Sequence, residues 1–419
     1  VSLAEDWLKL IHPDYLRREF FDIKPGLSII REVLSCLGVK KEKPIIQIVG
    51  TNGKGSTTYA ISRLLQIEGY SVGTFVSPHE ISPSERILVN DRQIDSAQLK
   101  DVVSTVNAVE KSAGISLSYF ELLTVAALYW FKICNVDIIV LEAGMGGRWD
   151  ATSALGQDVL AVTTIGIDHT DYLGETTKEI AKEKIAAASK RSKIVIAPQR
   201  PEVREVLADY LKNGFSFKYI DKESIKILES SLSGTKFLYN DMPIETDLAG
   251  GFQAVNIAAA IESVRALNSR YDISNVRLNL RIPSRLQVKK IDNRTMVFDG
   301  AHNRDAMKAV CGFFEKLKKK TTVIYSSMKD KNYPENLQLL SKIANSIFIV
   351  GLPFERAEKA INLFKASEGL FNHREIISDN RIASGLKKVT GFNETILVTG
   401  SFYLTGFIKY ALEAESKKV

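Results

Sequence analysis

Gly50-Thr51-Asn52-Gly53-Lys54-Gly55-Ser56-Thr57 follows the apolar run Ile45-Ile46-Gln47-Ile48-Val49 and precedes a helical pattern through Leu64 and Leu65. A strand, a glycine loop with a lysine and hydroxyls, and a helix make a phosphate-binding layout. Backbone N–H groups at the helix start can surround a polyanion, and Lys54 adds a mobile positive charge. The Ser56 hydroxyl can reach a Mg²⁺ held by that anion. The spacing is unusual. Thr51 and Asn52 alone separate Gly50 from Gly53, and Gly55 stands between Lys54 and Ser56. The loop predicts a bound nucleotide and leaves open what its energy drives.

Outward from the loop, strand-like and helix-like segments alternate. Strands are predicted at 45–49, 72–76, 137–141, 159–165 and 193–197, and helices at 56–68, 96–111, 120–133, 177–188 and 202–212. Alternation of this kind argues for a mainly parallel sheet with helices on both faces. Residues 215–247 are strand-like and turn-rich, and read as an antiparallel excursion at the sheet edge. A second series begins near Met296, with strands at 295–299, 321–326, 346–350 and 395–399. Its helices are predicted at 304–318, 335–344, 355–366, 380–389 and 402–414. The expected fold is α/β: a P-loop ATPase-type, mainly parallel sheet domain followed by a smaller α/β domain. Pro283 interrupts the pattern, so the expected division is 1–281, a linker at 282–285, and 286–419.

The 419 residues suffice for two or three domains with full cores. No apolar run reaches membrane-spanning length, and no membrane partner is expected. The N-terminal stretch VSLAEDWLKLIHPDYL is amphipathic and lacks the basic start and apolar core of a secretion signal. Cys36, Cys134 and Cys311 are odd in number and far apart, which excludes a disulfide framework or zinc cluster. Their apolar contexts predict buried thiols in a reducing cytoplasm. The net charge of +7 is modest, and basic runs such as Lys316 to Lys320 come without a nucleic-acid motif. No nucleic-acid partner is expected, whereas a weakly basic surface suits small polyanions.

Polar residues cluster just after the predicted strands, where α/β sheets place ligands. Glu142 ends the apolar run Ile138-Ile139-Val140-Leu141. A carboxylate there needs a cation, either Mg²⁺ or a side chain such as Arg148. Asp168-His169 follows the next strand, and the helix beyond it carries Glu183-Lys184. In the second series Asp299-Gly300-Ala301-His302-Asn303 follows a strand, with Asn303 also suited to cap the next helix. Thr399-Gly400-Ser401 repeats that placement.

Together these segments resemble the folylpolyglutamate synthase and dihydrofolate synthase family of the Mur ligase superfamily. The resemblance rests on GTNGKGST (50–57), SPH (77–79), SERI (84–87), YFELLT (119–124), LEAGMGGRWDAT (141–152), DHTDYLGET (168–176) and IAKEK (180–184). It continues through FQAVNIAAAI (252–261), PSRLQ (283–287), DGAHN (299–303), MKDK (328–331) and TGSFYL (399–404). It implies a Mur-ligase central-type ATP domain and a Rossmann-like glutamate-ligase domain. The implied reaction is ATP-dependent joining of L-glutamate to a folate or pteroate through an acyl phosphate.

By resemblance, Asn52, Gly53, Lys54, Gly55, Ser56 and Thr57 hold the phosphates. Gln253 and Asn256 contact the adenosine, and Arg285 and Asp299 reach ATP from the linker and second domain. Ser56, Ser77, Glu142 and His169 are implied ligands of two Mg²⁺ ions, joined by Lys184 if it is carbamylated. The implied catalytic set is Lys54, Glu142, His169, Lys184 and His302, with His302 and Ser401 on glutamate. The folate side involves Pro25, Gly26, Leu27, Ser77, Arg86, Tyr119, Phe120, Glu121, Trp149, Asp150 and Ala151. The chain departs from the family pattern at Glu80, Ser84, Ser153, Phe252, Ser284 and Arg304, mostly on the acceptor side or in supporting loops. The acceptor is therefore left open between a folate, a modified pterin and a non-folate carboxylate. The rival from another class is a P-loop NTPase switch or motor. A monomer is expected.

Overall fold

Eight strands form the first sheet: β1 (Ile45–Val49), β2 (Val72–Phe75), β3 (Ile87–Val89), β4 (Arg92–Gln93), β5 (Ile138–Glu142), β6 (Val159–Val162), β7 (Lys193–Ile196) and β8 (Ser216–Tyr219). The structure is a computed structural model describing residues 3–13, 16, 26–212, 214–271, 276–291, 294–378, 382–389 and 395–416. The strand order is β4-β3-β2-β5-β1-β6-β7-β8. The six strands from β2 to β8 in that order run parallel, and β3 and β4 run antiparallel at one edge. Every residue of β1 and β5 is buried, as continuous apolar runs covered on both faces require. On one face Ile61 and Leu65 of helix Lys54–Ile67 and Ile257 and Ile261 of helix Gln253–Leu267 pack with Ile46, Ile48 and Val140. On the other face Leu123 and Phe131 of helix Tyr119–Ile133 pack with Phe75 and Leu141.

The segment read as one edge excursion divides in two. Strand β8 extends the first sheet in parallel with β7. Strands β9 (Ile225–Ser231), β10 (Gly234–Tyr239), β11 (Met242–Thr246) and β12 (Arg277–Leu278) make a separate sheet, antiparallel over β9 to β11. Its Phe237, Tyr239 and Ile244 pack in the same core as helix Gln253–Leu267.

The third sheet has the order β13-β14-β18-β15-β16-β17. Its strands are β13 (Gln287–Ile291), β14 (Arg294–Phe298), β15 (Thr321–Tyr325), β16 (Ala344–Val350), β17 (His373–Ile377) and β18 (Thr395–Thr399). All neighbours are parallel except the β13–β14 pair. The edge strands β13 and β17 escape a reading by apolar runs because QVKKI and HREII are largely polar and half-exposed. The helix expected at 355–366 is shorter, Ala360–Ala366.

Helix Leu3–Ile11 falls in the stretch assigned to the first domain, yet it packs on the second. Its Ala4, Trp7 and Ile11 share a core with Phe298, Phe348 and Phe407. The Trp7 and Phe407 ring centroids are 5.1 Å apart. Leu16 and Leu27 already belong to a first-domain core. An amphipathic pattern reveals an apolar face but not the surface it covers. The cysteines also differ from expectation: Cys311 is buried, Cys134 is half-buried and Cys36 is exposed. Cys36 ends helix Ser28–Cys36, which turns Ile30, Val33 and Leu34 inward. No helix among the described residues is long and apolar enough to cross a membrane.

Candidate active site

The loops after β1, β2, β5 and β6 border a cavity of about 660 Å³ whose opposite wall comes from the second domain. The glycine loop enters it as the sequence predicts, with Gly53 capping helix Lys54–Ile67 in a left-handed conformation. Two glycines are sterically required. A Cβ on Gly50 (φ 147°) would lie 1.9 Å from Thr163 Oγ1, and one on Gly53 (φ 91°) would lie 2.2 Å from Asn256 Oδ1. Lys54 Nζ folds back to donate to the carbonyls of Gly50 at 3.2 Å and Thr51 at 3.3 Å. Burial lowers its pKa, and the charges of Glu142 and Asp168 oppose that shift.

Glu142 ends β5 at the cavity wall and is 2% exposed. It accepts from the Ser77 N–H at 3.0 Å and makes no ion pair with Arg148 or any other described residue. Burial raises its pKa, with Lys54, the Ser77 N–H, Arg285 and Arg86 acting in the opposite sense. A buried carboxylate without a direct cation is poised to take a hard metal ion. His169 follows β6 in a left-handed conformation (φ 53°) and also lines the cavity. Burial holds its pKa at about 3, so the ring is neutral and open to ligation near neutrality. Lys184, 4% exposed on helix Thr177–Ile185, makes no side-chain hydrogen bond or ion pair with described residues. Burial and, after it, the charge of Lys54 lower its pKa to about 7, with Asp168, Asp150 and Glu183 acting in the opposite sense. Among the described residues no three His, Cys, Asp or Glu side chains gather into a metal cluster. Ser77, Glu142 and His169 offer a hydroxyl, a carboxylate and a neutral imidazole on one cavity wall. That donor set fits a hard divalent cation completed by phosphate oxygens.

The second-domain wall brings Arg285, His302, Lys331 and Ser401 to the same cavity. Asp168 joins the two walls, a role that the sequence leaves unassigned. Its carboxylate accepts from Lys331 Nζ at 2.5 Å and Asn303 Nδ2 at 3.0 Å, and lies 3.3 Å from His302 Nε2. Burial works against its ionisation, yet His302 and Lys331 hold its pKa well below the usual carboxylate range. Asn52 and Asn303 exchange side-chain hydrogen bonds at 3.3 and 3.0 Å, so the glycine loop touches the DGAHN turn directly. Asn303 also caps helix Arg304–Leu317. Asp299 accepts from the Leu286 and Ala301 N–H groups, both at 2.9 Å, and burial raises its pKa.

The residues expected on the acceptor side divide into two groups. Arg86, Tyr119, Phe120 and Trp149 line the cavity. The Arg86 guanidinium lies 5.6 Å from the Tyr119 ring centroid, and its Nε donates to His79 Nδ1 at 2.8 Å. Trp149 is 51% exposed at the rim, beside Arg148. Glu121 and Asp150 touch the cavity but are engaged locally. Glu121 closes a capping box with Ser118, and Asp150 accepts from the Met145 and Thr152 N–H groups. Ala151 is buried at the wall. Leu27 is packed in the core, and Gly26 lies off the cavity; Pro25 lies outside the described residues. Gly55, Ser56, Thr57, Gln253, Asn256 and Asp299 sit behind the cavity surface rather than on it. Gln253 is buried and accepts from Asn256 Nδ2 at 2.9 Å, while its own Nε2 has no partner among the described residues.

Residues 48–264 match the Mur ligase middle domain, and residues 284–402 match the Mur ligase glutamate ligase domain. The dihydrofolate synthase/folylpolyglutamate synthase of Bacillus subtilis is 31% identical over 417 residues, covering 94% of this chain and 96% of that protein. The structure of Escherichia coli FolC in complex with DHPP and ADP superposes with a TM-score of 0.82 at 25% identity, covering 99% of both chains. Mycobacterium tuberculosis folylpolyglutamate synthase, complexed with ADP and AMPPCP, gives a TM-score of 0.80 at 27% identity over 92% of this chain and 95% of that one. With both domain matches in sequence order and a full-length relative above 30% identity, this chain belongs to the dihydrofolate synthase/folylpolyglutamate synthase family of the Mur ligases.

Proposed function

We propose that this chain is an ATP- and Mg²⁺-dependent, ADP-forming ligase that adds L-glutamate to a folate, as a folylpolyglutamate synthase, and to dihydropteroate, as a dihydrofolate synthase. One observation carries the reading. The phosphate-type loop, buried Glu142 and low-pKa Lys184 open onto the same cavity as Arg285 and His302 of the second domain. The relatives support it: the E. coli structure contains DHPP with ADP.

In this reading an acceptor carboxylate oxygen attacks the γ-phosphorus of ATP, the bond to the β–γ bridging oxygen breaks, and ADP leaves. The glutamate amine then adds to the acyl carbon, gives up a proton and expels phosphate as the amide forms. Lys54 and the loop N–H groups face the phosphates from the first domain, and Arg285 faces them from the linker. This brings cationic groups to both sides of the developing charge. Ser77, Glu142 and His169 would hold Mg²⁺, which when bound would supply charge neutralisation for the phosphates. Lys184, a neutral amine over much of the population near pH 7, adds CO₂ with loss of a proton. The resulting carbamate would replace a potential cation on the cavity wall with an anion, which suits a nearby divalent ion. His302 and Ser401 serve the glutamate, and Arg86, Tyr119, Phe120 and Trp149 serve the acceptor, whose flat ring suits the aromatic faces. The unpaired cysteines suit a cytoplasmic setting.

The test is phosphate release from ATP and Mg²⁺, with pteroate or folate and L-glutamate added singly and together. Turnover that needs both is the expected result. Hydrolysis independent of acceptor would assign an NTPase, and turnover with a non-folate carboxylate alone would reassign the acceptor.

A further inference from the structure

Lys409 lies on helix Phe402–Ser416, off the cavity surface and 4% exposed. Its ammonium meets three acceptors on two other stretches of chain: Glu80 Oε2 at 2.5 Å, Gln287 Oε1 at 2.5 Å and Ser284 Oγ at 3.2 Å. These acceptors use all three donors of an ammonium. Burial lowers the Lys409 pKa, and the adjacent Glu80 carboxylate opposes that shift. Glu80 belongs to the first-domain loop after β2, whereas Ser284 belongs to the joint between the domains and Gln287 opens β13 just beyond it. The loop is pressed against the helix: a Cβ on Gly406 would lie 2.1 Å from the Glu80 carbonyl oxygen.

The joint carries backbone strain. Arg285 sits between Ser284 (φ 47°) and Leu286 (φ 46°), two non-glycine residues in the left-handed region. Such strain persists only where the surroundings over-determine it. Here the Gly300 N–H donates to the Ser284 carbonyl at 2.9 Å, and the Leu286 N–H donates to Asp299 at 2.9 Å. The Ser284 N–H approaches Gln287 Oε1 at 3.4 Å, and Lys409 holds both that oxygen and the Ser284 hydroxyl. The strained turn directs the Arg285 guanidinium over the Phe402 ring at 4.6 Å and toward the glycine loop. A Cβ on Gly55 would lie 3.5 Å from Arg285 Nη2. Phe402 and Lys409 are seven residues apart and share one face of their helix.

We propose that Lys409 is a positioning residue. Through Ser284 and Gln287 it fixes the strained turn that aims Arg285 at the phosphates, and through Glu80 it ties that aim to the first-domain loop. The inference rests on the proposed nucleotide site. With the full chain, Lys409→Met should raise the KM for ATP about tenfold and move the acceptor KM less than about twofold. In an Arg285→Ala background the same substitution should have no further effect. Ser284→Gly, which adopts the left-handed turn freely, should restore the ATP KM of Lys409→Met to within about threefold. An equal loss in both backgrounds, or no rescue by glycine, overturns the proposal. Should Lys409→Met fail to fold, Ser284→Ala should raise the ATP KM while Ser284→Gly does not; equal values overturn it. Calorimetry with Mg²⁺–ADP separates the two levels of argument. If the unsubstituted protein binds no Mg²⁺–ADP, the nucleotide reading fails and takes the proposal with it. If it binds, and Arg285→Ala binds equally well, only the proposal fails.

Discussion

The first-domain wall of the cavity is made largely of backbone and strand ends, whereas the second-domain wall is held by side chains reaching across the joint. Gly50 and Gly53 are fixed by steric contact, and Glu142 is carried by a fully buried strand. On the facing side, His302 and Lys331 meet Asp168, Asn303 meets Asn52, and Arg285 depends on a strained turn. The first wall is thus preformed, while the second is set by the relation between the domains. Substitutions on the first wall should therefore change chemistry without changing the fold. Those on the second should change closure first.

The largest expected effect is on the preformed wall. Glu142→Gln should lower kcat about 10³-fold in the phosphate-release assay. Because burial already disfavours the charged carboxylate, its thermal unfolding temperature should not fall. A large loss of stability would break the distinction between the walls.

Lys184→Ala comes next, with a kcat loss of about 10²-fold that short carboxylic acids such as acetate partly restore. Full activity in that variant would remove the carbamate. The pH sign follows from the depressed pKa. Below about pH 7 the amine is increasingly protonated and less able to add CO₂, so bicarbonate-supported activity should fall with pH. In bicarbonate-free buffer the unfolded chain binds the extra proton between about pH 7 and the ordinary lysine value of 10.5. Stability should therefore rise with pH across that window, and Lys184→Met should flatten the slope in denaturant titrations.

Asp168→Asn tests the second wall. Losing the charge that holds Lys331 and His302 should reduce kcat/KM about tenfold and enlarge the radius of gyration measured by small-angle scattering. A loss as deep as that of Glu142→Gln, with no change in scattering, would place Asp168 with the preformed chemistry instead. The smallest effect belongs to Trp149, half-exposed at the rim. Trp149→Ala should raise the acceptor KM about two- to fivefold and leave the ATP KM unchanged.

The same contrast governs how much was legible in the sequence. The parallel core strands and glycine loop were readable because buried apolar runs and a loop–helix junction leave local signatures. So was the placement of Glu142, which ends such a run, and of His169, in the loop after another, on the cavity wall. The polar edge strands β13 and β17 were not, since neither offers a continuous apolar run. The sequence gives Asp168 no role beside His169, because its partners Lys331 and His302 lie more than a hundred residues away. The sequence places Lys409 on a helix but does not reveal that its ammonium meets Glu80 and the joint. Long-range side-chain pairings carry no periodicity.

The placement of helix Leu3–Ile11 bears on how the two domains can move. Among the described residues, Ile11 packs in the second-domain core and Leu16 in a first-domain core, and the chain joins the second domain again near Pro283, so the two domains are linked at two places. A single tether would permit swivelling in any direction. Two tethers behave like the pins of a door, favouring rotation about the line between them and resisting twist. The same arrangement delays assembly. Trp7 leaves the ribosome some four hundred residues before its partner Phe407 is made, so that apolar helix face must wait for its seat.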